Sequence, residues 1–176
     1  MVKQITHLKQ STFWKNDTAG GAMVAAIHDC PTEHVVVHTQ NRKHGRTWGH
    51  MHPDKLVKAL EKNNGIYEVL SKFPYKVYFD IDKVRTLEDT EQPNDFLTCI
   101  KEHIENVMPD GLMAISGSVT DTKISYHIVL NNYIIRSEED LATIKAIAIQ
   151  LNKAETSFDW KVYTRNRNMK AINQSK

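Results

Sequence analysis

Apolar residues alternate with polar ones along several short stretches of this chain and recur at three- and four-residue spacing along others, and the two periods predict its elements. EHVVVHTQ (Glu33 to Gln40) reads as a strand through Val35 to Val37, and a second short strand is expected around Thr47 and Trp48. HPDKLVKALEKNNG reads as a helix: Pro53 suits its first turn, Leu56, Val57 and Leu60 form its apolar face, and Asn64 with Gly65 stop it. KVYFDID (Lys76 to Asp82) follows as a strand. DFLTCIKEHIENVM then carries Phe96, Leu97, Ile100, Ile104 and Val107 at helical spacing and ends at Pro109, Asp110 and Gly111. LMAISGSV and ISYHIVL form a hairpin across TDTK. Ser137 and Asp140 signal the start of a helix reaching about Lys153, with Leu141, Ile144, Ile147, Ala148 and Leu151 inward, and WKVYTRNRNMK reads as a last strand.

From Lys76 the order is strand, helix, strand, strand, helix, strand, the ferredoxin-like or RNA-recognition-like connectivity. The expected fold is α+β: a catalytic sheet of that kind over residues 76–176, preceded by an N-terminal α/β subdomain over residues 1–75. One face of such a sheet is covered by its two helices, and the other is left for chemistry.

Composition narrows the class. The 176 residues are 40% hydrophobic and 25% charged, enough for a core without staples. Two cysteines, Cys30 and Cys99, form no close pair, which argues against a zinc knuckle or a disulfide framework and fits a reducing compartment. No run of 18 apolar residues and no secretory h-region occurs, so an intracellular protein without a membrane partner is expected, nucleus and cytoplasm being left open. The net charge of +2 identifies no partner, but Lys161 to Lys176 holds five basic residues and no acidic one. A chain that stops inside such a stretch reads as truncated on its C-terminal side.

Period two puts Tyr78, Asp80 and Asp82 on one face of the KVYFDID strand and Val77, Phe79 and Ile81 on the other. The carboxylates then stand about 6.6 Å apart along the strand, within reach of a shared hard cation, Mg²⁺ or Mn²⁺. A solvated strand end would carry the same residues. In KISYHIVL, Lys123, Ser125 and His127 share a face suited to phosphate oxygens, or to an exposed edge. If the last strand runs unbroken, Asp159, Tyr163, Arg165 and Arg167 project together, while Lys170 needs a bulge after Asn168 to join them. Together these clusters describe a two-metal phosphoryl-transfer site: three carboxylates for the ions, and Lys123, Ser125, His127 and Arg167 for a triphosphate.

This set resembles the archaeo-eukaryotic primase superfamily, in particular the primase-polymerase branch with eukaryotic and large-DNA-virus members. The resemblance rests on FDID with Asp80 and Asp82, on KISYHIV with Ser125 and His127, and on Asp159 followed by a basic stretch. Within that stretch, VYTRNRNMK and QSK are close to the branch's form. It implies an archaeo-eukaryotic primase core in which Asp80, Asp82 and Asp159 are the metal-binding catalytic acids. Ser125 and His127 then contact the nucleotide's phosphates beside Lys123, and Arg167, Lys170 and Lys176 serve nucleotide or template contacts. Arg46, in HVVVHTQNRKHGRTW, is the nearest match to the family's N-terminal arginine. Some close relatives carry Glu where this chain has Asp82, and the family often adds a zinc module or a fused helicase that helps start chains.

The expected function is a template-dependent nucleotidyltransferase, a DNA primase, a primer-extending DNA polymerase, or both. Its partners would be nucleoside triphosphates and a single-stranded DNA template or primer-template along a basic groove between the subdomains, with a fused or associated helicase and a viral replication site as further expectations. Trp48, Trp160, Tyr78 and Tyr163 are candidate stacking platforms. The rivals are a non-catalytic single-stranded nucleic-acid binding module and a metal-dependent nuclease.

Overall fold

The protein is an α+β structure with four helices and two antiparallel sheets among its described residues. The computed structural model describes residues 2–7, 11–16, 21–41, 45–62, 65–86 and 88–170, with side chains for 21–40, 46–62, 65–86 and 88–169. Along the chain come β1 (Val2–His7), β2 (Ser11–Asn16), α1 (Gly21–His28), β3 (Val35–Asn41), β4 (Gly45–Met51), α2 (Pro53–Leu60) and β5 (Ile66–Leu70). These are followed by β6 (Tyr75–Val84), α3 (Pro93–Val107), β7 (Met113–Val119), β8 (Lys123–Ile135), α4 (Glu138–Ala154), a 3₁₀ turn (Trp160–Val162) and β9 (Arg167–Lys170). They divide into two compact units, Met1–Ser71 with Arg165–Lys176, and Lys72–Thr164.

The first unit holds a six-stranded sheet in the order β1-β2-β4-β3-β5-β9, every pairing antiparallel. Its central strand β3 is buried on both faces, which is why Val35 to Val37 form an unbroken apolar run. Val36 packs with Val69 against Ala22, Ala26 and Cys30 at α1, while Val37 packs with Met51 and Ile66 against Leu56 of α2. Leu56, Ala59 and Leu60 form the inner side of α2; Val57, expected there, is 60% exposed because its position on the turn faces water. Gly65 has φ +75°, and a Cβ on it would lie 2.8 Å from the Gln40 carbonyl oxygen, so the chain leaves the α2 region through the residue predicted as its stop.

The second unit holds the sheet β6-β8-β7, again antiparallel, with a single further bridge from Ile81 of β6 to Phe158. Its connectivity is the expected strand, helix, strand, strand, helix, with the sixth element reduced to that bridge. Val77, Phe79, Ile81, Ile124, Ile128 and Leu130 are all at most 2% exposed and form one face. Phe96, Ile100 and Ile104 of α3 and Leu141, Ile144, Ala148 and Leu151 of α4 supply the buried rows that cover it. Phe96 stacks on Tyr126, whose hydroxyl donates to the Pro93 carbonyl, seating α3. Ser137 caps α4 as predicted, its hydroxyl accepting the Asp140 N–H at 3.1 Å, while the Asp140 carboxylate takes the Arg136 N–H at 2.7 Å.

The last strand differs from expectation. Residues 160–170 do not run unbroken: Asp159 caps the 3₁₀ turn, Asn166 takes φ +58°, and β9 starts only at Arg167, where it pairs with β5 in the first unit's sheet. The expected division at residues 75 and 76 therefore compares with one at 71 and 72, and the segment from Arg165 belongs with the first unit. Local alternation in WKVYTRNRNMK is compatible with a strand, but capping and a left-handed residue break it before any partner is chosen.

His38 on β3 is 5% exposed, sandwiched between Trp48 and Tyr67 with ring centroids 5.0 and 5.2 Å away, and neither of its ring nitrogens has a hydrogen-bond partner. Burial, and then the Arg46 guanidinium, push its pKa down to about 4. The unfolded chain takes up this proton near pH 6.5 and the folded chain does not, so the stability tied to a neutral His38 is whole above about pH 6.5 and declines as pH falls toward 4. Urea unfolding at pH 7 and pH 5 should show wild type losing about 2 kcal/mol more than His38→Phe over that interval. Parallel losses in the two proteins would show that His38 is not the group responsible.

Candidate functional site

On β6 the alternation ends in Asp80 and Asp82, and the register with β8 sets Asp80 opposite His127 and Asp82 opposite Ser125. One strand further, His127 faces Ser116 and Ser125 faces Ser118 on β7. Residues opposite each other in an antiparallel pair share a face, so two polar rows cross the sheet on the side away from the apolar core. Gly117, between the two β7 serines, lies where a Cβ would come within 2.4 Å of the Tyr126 ring, which keeps that position small.

The third acid reaches the same face through the chain after α4. The Asp82 N–H donates to the Ser157 carbonyl and the Asp159 N–H donates to the Asp80 carbonyl, each at 2.9 Å, flanking the Ile81 and Phe158 pair. This pairing puts Asp159 directly opposite Asp80. Phe158 turns to the core, 2% exposed and edge-on to Phe79, so Asp159 turns the other way. Two rows result, Asp159, Asp80, His127, Ser116 and Ser157, Asp82, Ser125, Ser118.

Basic side chains stand beside two of the acids. Lys123 Nζ lies 2.8 Å from Asp82 Oδ1, and His127 Nε2 lies 3.1 Å from Asp80 Oδ1. Asp80 is the more sheltered, with its side chain 14% exposed against 41% for Asp82. The Asp159 Oδ1 accepts the Lys161 N–H at 2.9 Å, which caps the 3₁₀ turn. No three His, Cys, Asp or Glu groups among the described residues stand together in ligating geometry. Placement and donor type nevertheless suit Mg²⁺ or Mn²⁺: three carboxylates occupy adjoining positions of one face, and hard ions take oxygen donors.

The open face carries no exposed Phe, Trp or Tyr among the described residues. Tyr78 and Tyr163, expected as platforms, are each 3% exposed and stack on one another, centroids 5.2 Å apart. The Tyr78 hydroxyl donates to the Val162 carbonyl, and the Tyr163 hydroxyl donates back to the Tyr78 carbonyl. Burial, then Tyr78, then the Asp80 and Asp159 carboxylates raise the Tyr163 hydroxyl well above its ordinary pKa, so it remains a hydrogen-bond donor beside the acids. Trp160 is half-buried with Lys145 Nζ 5.6 Å from its ring centre, and Trp48 stacks on His38 in the first unit.

The remaining predicted residues separate. Lys123, Ser125 and His127 join the acids in the second unit, whereas Arg46 on β4 and Arg167 and Lys170 on β9 belong to the first unit's sheet. Asp159, Tyr163, Arg165 and Arg167 therefore do not project from one strand: Tyr163 is buried, and the chain turns before Arg167. Lys176 lies outside the described residues, as does the side chain of Lys170. Ser116, Ser118 and Ser157 went unnoticed in the sequence, although ISGSV carries two serines at period two.

The chain matches no protein-family model and no curated protein. Among the described residues no helix is long and apolar enough to cross a membrane.

Removing the Tyr163 ring should unseat the segment that carries Asp159. Tyr163→Ala is expected to cost about 3–5 kcal/mol in chemical denaturation, and Tyr163→Phe, which loses only the hydroxyl's bond, about 1 kcal/mol. Equal stability of Tyr163→Ala and wild type would mean that the stacked pair does not hold this segment.

Proposed function

We propose that the protein is a template-dependent nucleotidyltransferase of the archaeo-eukaryotic primase type, acting as a DNA primase, a primer-extending DNA polymerase, or both. What carries this reading is the pairing of Asp159 opposite Asp80 on the sheet face that also bears Asp82, Lys123, Ser125 and His127. The strand, helix, strand, strand, helix connectivity with its bridged sixth segment supports the ferredoxin-like, RNA-recognition-like core that this reading needs.

Asp80, Asp82 and Asp159 would hold the divalent ions, Mg²⁺ or Mn²⁺. When bound, such ions would neutralise the phosphate charge that shifts during transfer. Lys123 and His127, paired with the acids as described, would turn their positive or hydrogen-bonding groups to the triphosphate as the acids take up ions. Ser125, between them on the same row, adds a hydroxyl donor. Charge placement does the work here and no protein base is needed. The substrates are nucleoside triphosphates and a single-stranded DNA template or primer-template, and the products are a longer strand and pyrophosphate. Arg46, Arg167, Lys170 and Lys176 belong to this proposal as nucleotide or template contacts, and a helicase, fused or associated, as a partner.

A non-catalytic binding module on the same sheet fits less well. Such modules stack bases on exposed rings, and this face presents carboxylates instead, which repel a phosphate backbone unless a cation intervenes.

Incubation with primed and unprimed templates, ribo- or deoxyribonucleotides, and Mg²⁺ or Mn²⁺ should give metal-dependent extension of the primed strand. Asp80→Ala is expected to lower it by about 10²–10³-fold. Asp159→Asn should do the same while keeping the cap on the 3₁₀ turn, since Asn caps as well as Asp. Product equal to wild type from both variants would defeat the assignment. Shortening of an end-labelled strand without incorporation would make the protein a nuclease.

A further inference from the structure

Away from the acidic face, three of the chain's nine histidines gather at one end of the β3 and β4 pair. In the register of these strands Val35 faces Met51 and Val36 faces His50, so the next position sets His34 opposite His52. His50 and His52 are two residues apart, and the three imidazoles therefore leave the sheet on one side. His34 Nδ1 and His50 Nδ1 are 2.8 Å apart, with ring centroids at 5.0 Å, and the His52 ring stands edge-on to His34 at 6.1 Å. All three are half-buried, neither sealed from an ion nor freely solvated.

We propose that His34, His50 and His52 form a binding site for a transition-metal ion, zinc foremost, with a fourth coordination position open to water. Three neutral imidazoles offer nitrogen lone pairs, which suit zinc, cobalt, nickel or copper and not the hard ions that carboxylates hold. Two nitrogens bound to a tetrahedral zinc at about 2.0–2.1 Å lie about 3.4 Å apart, so the His34 and His50 contact opens by about 0.6 Å to admit it. His52 must also turn, because no three such groups among the described residues ligate as they stand.

Asp54 supports that turn. Its Oδ2 lies 3.5 Å from His52 Nδ1, which also accepts the Asp54 N–H at 3.3 Å at the start of α2. Ligation through Nε2 needs the other tautomer: Nδ1 gives up the Asp54 N–H, takes the ring proton and turns it to the Asp54 carboxylate, the arrangement in which a carboxylate orients a ligating histidine. Binding ties the β3 and β4 ends to the start of α2.

The test uses the full chain, stripped with chelator and held in excess Mg²⁺ so that the carboxylates of the other unit are occupied by a hard ion. Titration with Zn²⁺, followed by imidazole ¹H–¹⁵N spectra, should shift the ring signals of His34, His50 and His52 and leave His127 unchanged. Co²⁺ in place of Zn²⁺ should give a visible absorption band that saturates at one equivalent. His34→Ala and His50→Ala should each weaken Zn²⁺ binding at least about tenfold, and Asp54→Ala by about 10–100-fold. Shifts confined to other histidines, or unchanged affinity in both histidine variants, would overturn the proposal. The spectra need only wild-type protein, so a variant that fails to fold does not remove the test.

Discussion

Two backbone hydrogen bonds, one on each side of the Ile81 and Phe158 pair, decide where the third carboxylate of the second unit's polar face lies. They are all that remains of a sixth strand, yet they fix which way each neighbour points. With Phe158 in the core against Phe79, the residue after it must face the opposite side, and that residue is Asp159. The bridge ends at once because Asp159 turns its carboxylate to the Lys161 N–H and starts a 3₁₀ turn. That turn brings Tyr163 back over Tyr78, and each hydroxyl finds a carbonyl on the other's segment. The segment is thus held from both faces of the sheet, by Phe158 on one and Tyr163 on the other.

Three carboxylates on adjoining positions would repel one another, and the neighbouring strand answers this. His127 stands beside Asp80 and Lys123 beside Asp82, while Asp159 draws on a backbone N–H. Such a face stays partly solvated, as the exposures of Asp82 and Lys123 show. On the proposed reading, a group that stands beside a carboxylate in one state would meet a phosphate in another. The stacked tyrosines bound the face at one end and leave Asp82, Ser118 and Val84 exposed at the other.

The first unit solves a different problem. A strand covered on both sides must put apolar residues at every position, and Val35 to Val37 do this with α1 on one face and α2 on the other. The same strands also carry histidines: His38 between Trp48 and Tyr67, and His34 beside His50 and His52. At His38 neutral imidazole is tolerated because it stacks like an aromatic ring and costs less to bury than a charge.

How much was readable in advance depended on how local the cause was. The faces of β6 and β8 follow from period two alone, because a sheet with one buried side writes its orientation into every second residue, and so Asp80, Asp82, Lys123, Ser125 and His127 were placed correctly among themselves. The Ser137 cap of α4 and the Gly65 exit from the α2 region were likewise local. Helix α1 was invisible because Ala and Gly in GAMVAAIH carry no clear polar side, and β5 because Glu68 interrupts a five-residue strand. Asp159 was named from the parity of an unbroken last strand and again through motif likeness, yet a single bridge after α4, not that long strand, brings it opposite Asp80. Tyr163 and Arg167 share a parity in the sequence but part company in the fold. The chain by itself determined which residues could face solvent or core along each strand, since that is set by neighbours two residues away. Only tertiary structure decided which strand β9 joins and how the third acid reaches the first two, because those outcomes depend on pairing and ring packing between residues far apart in the chain.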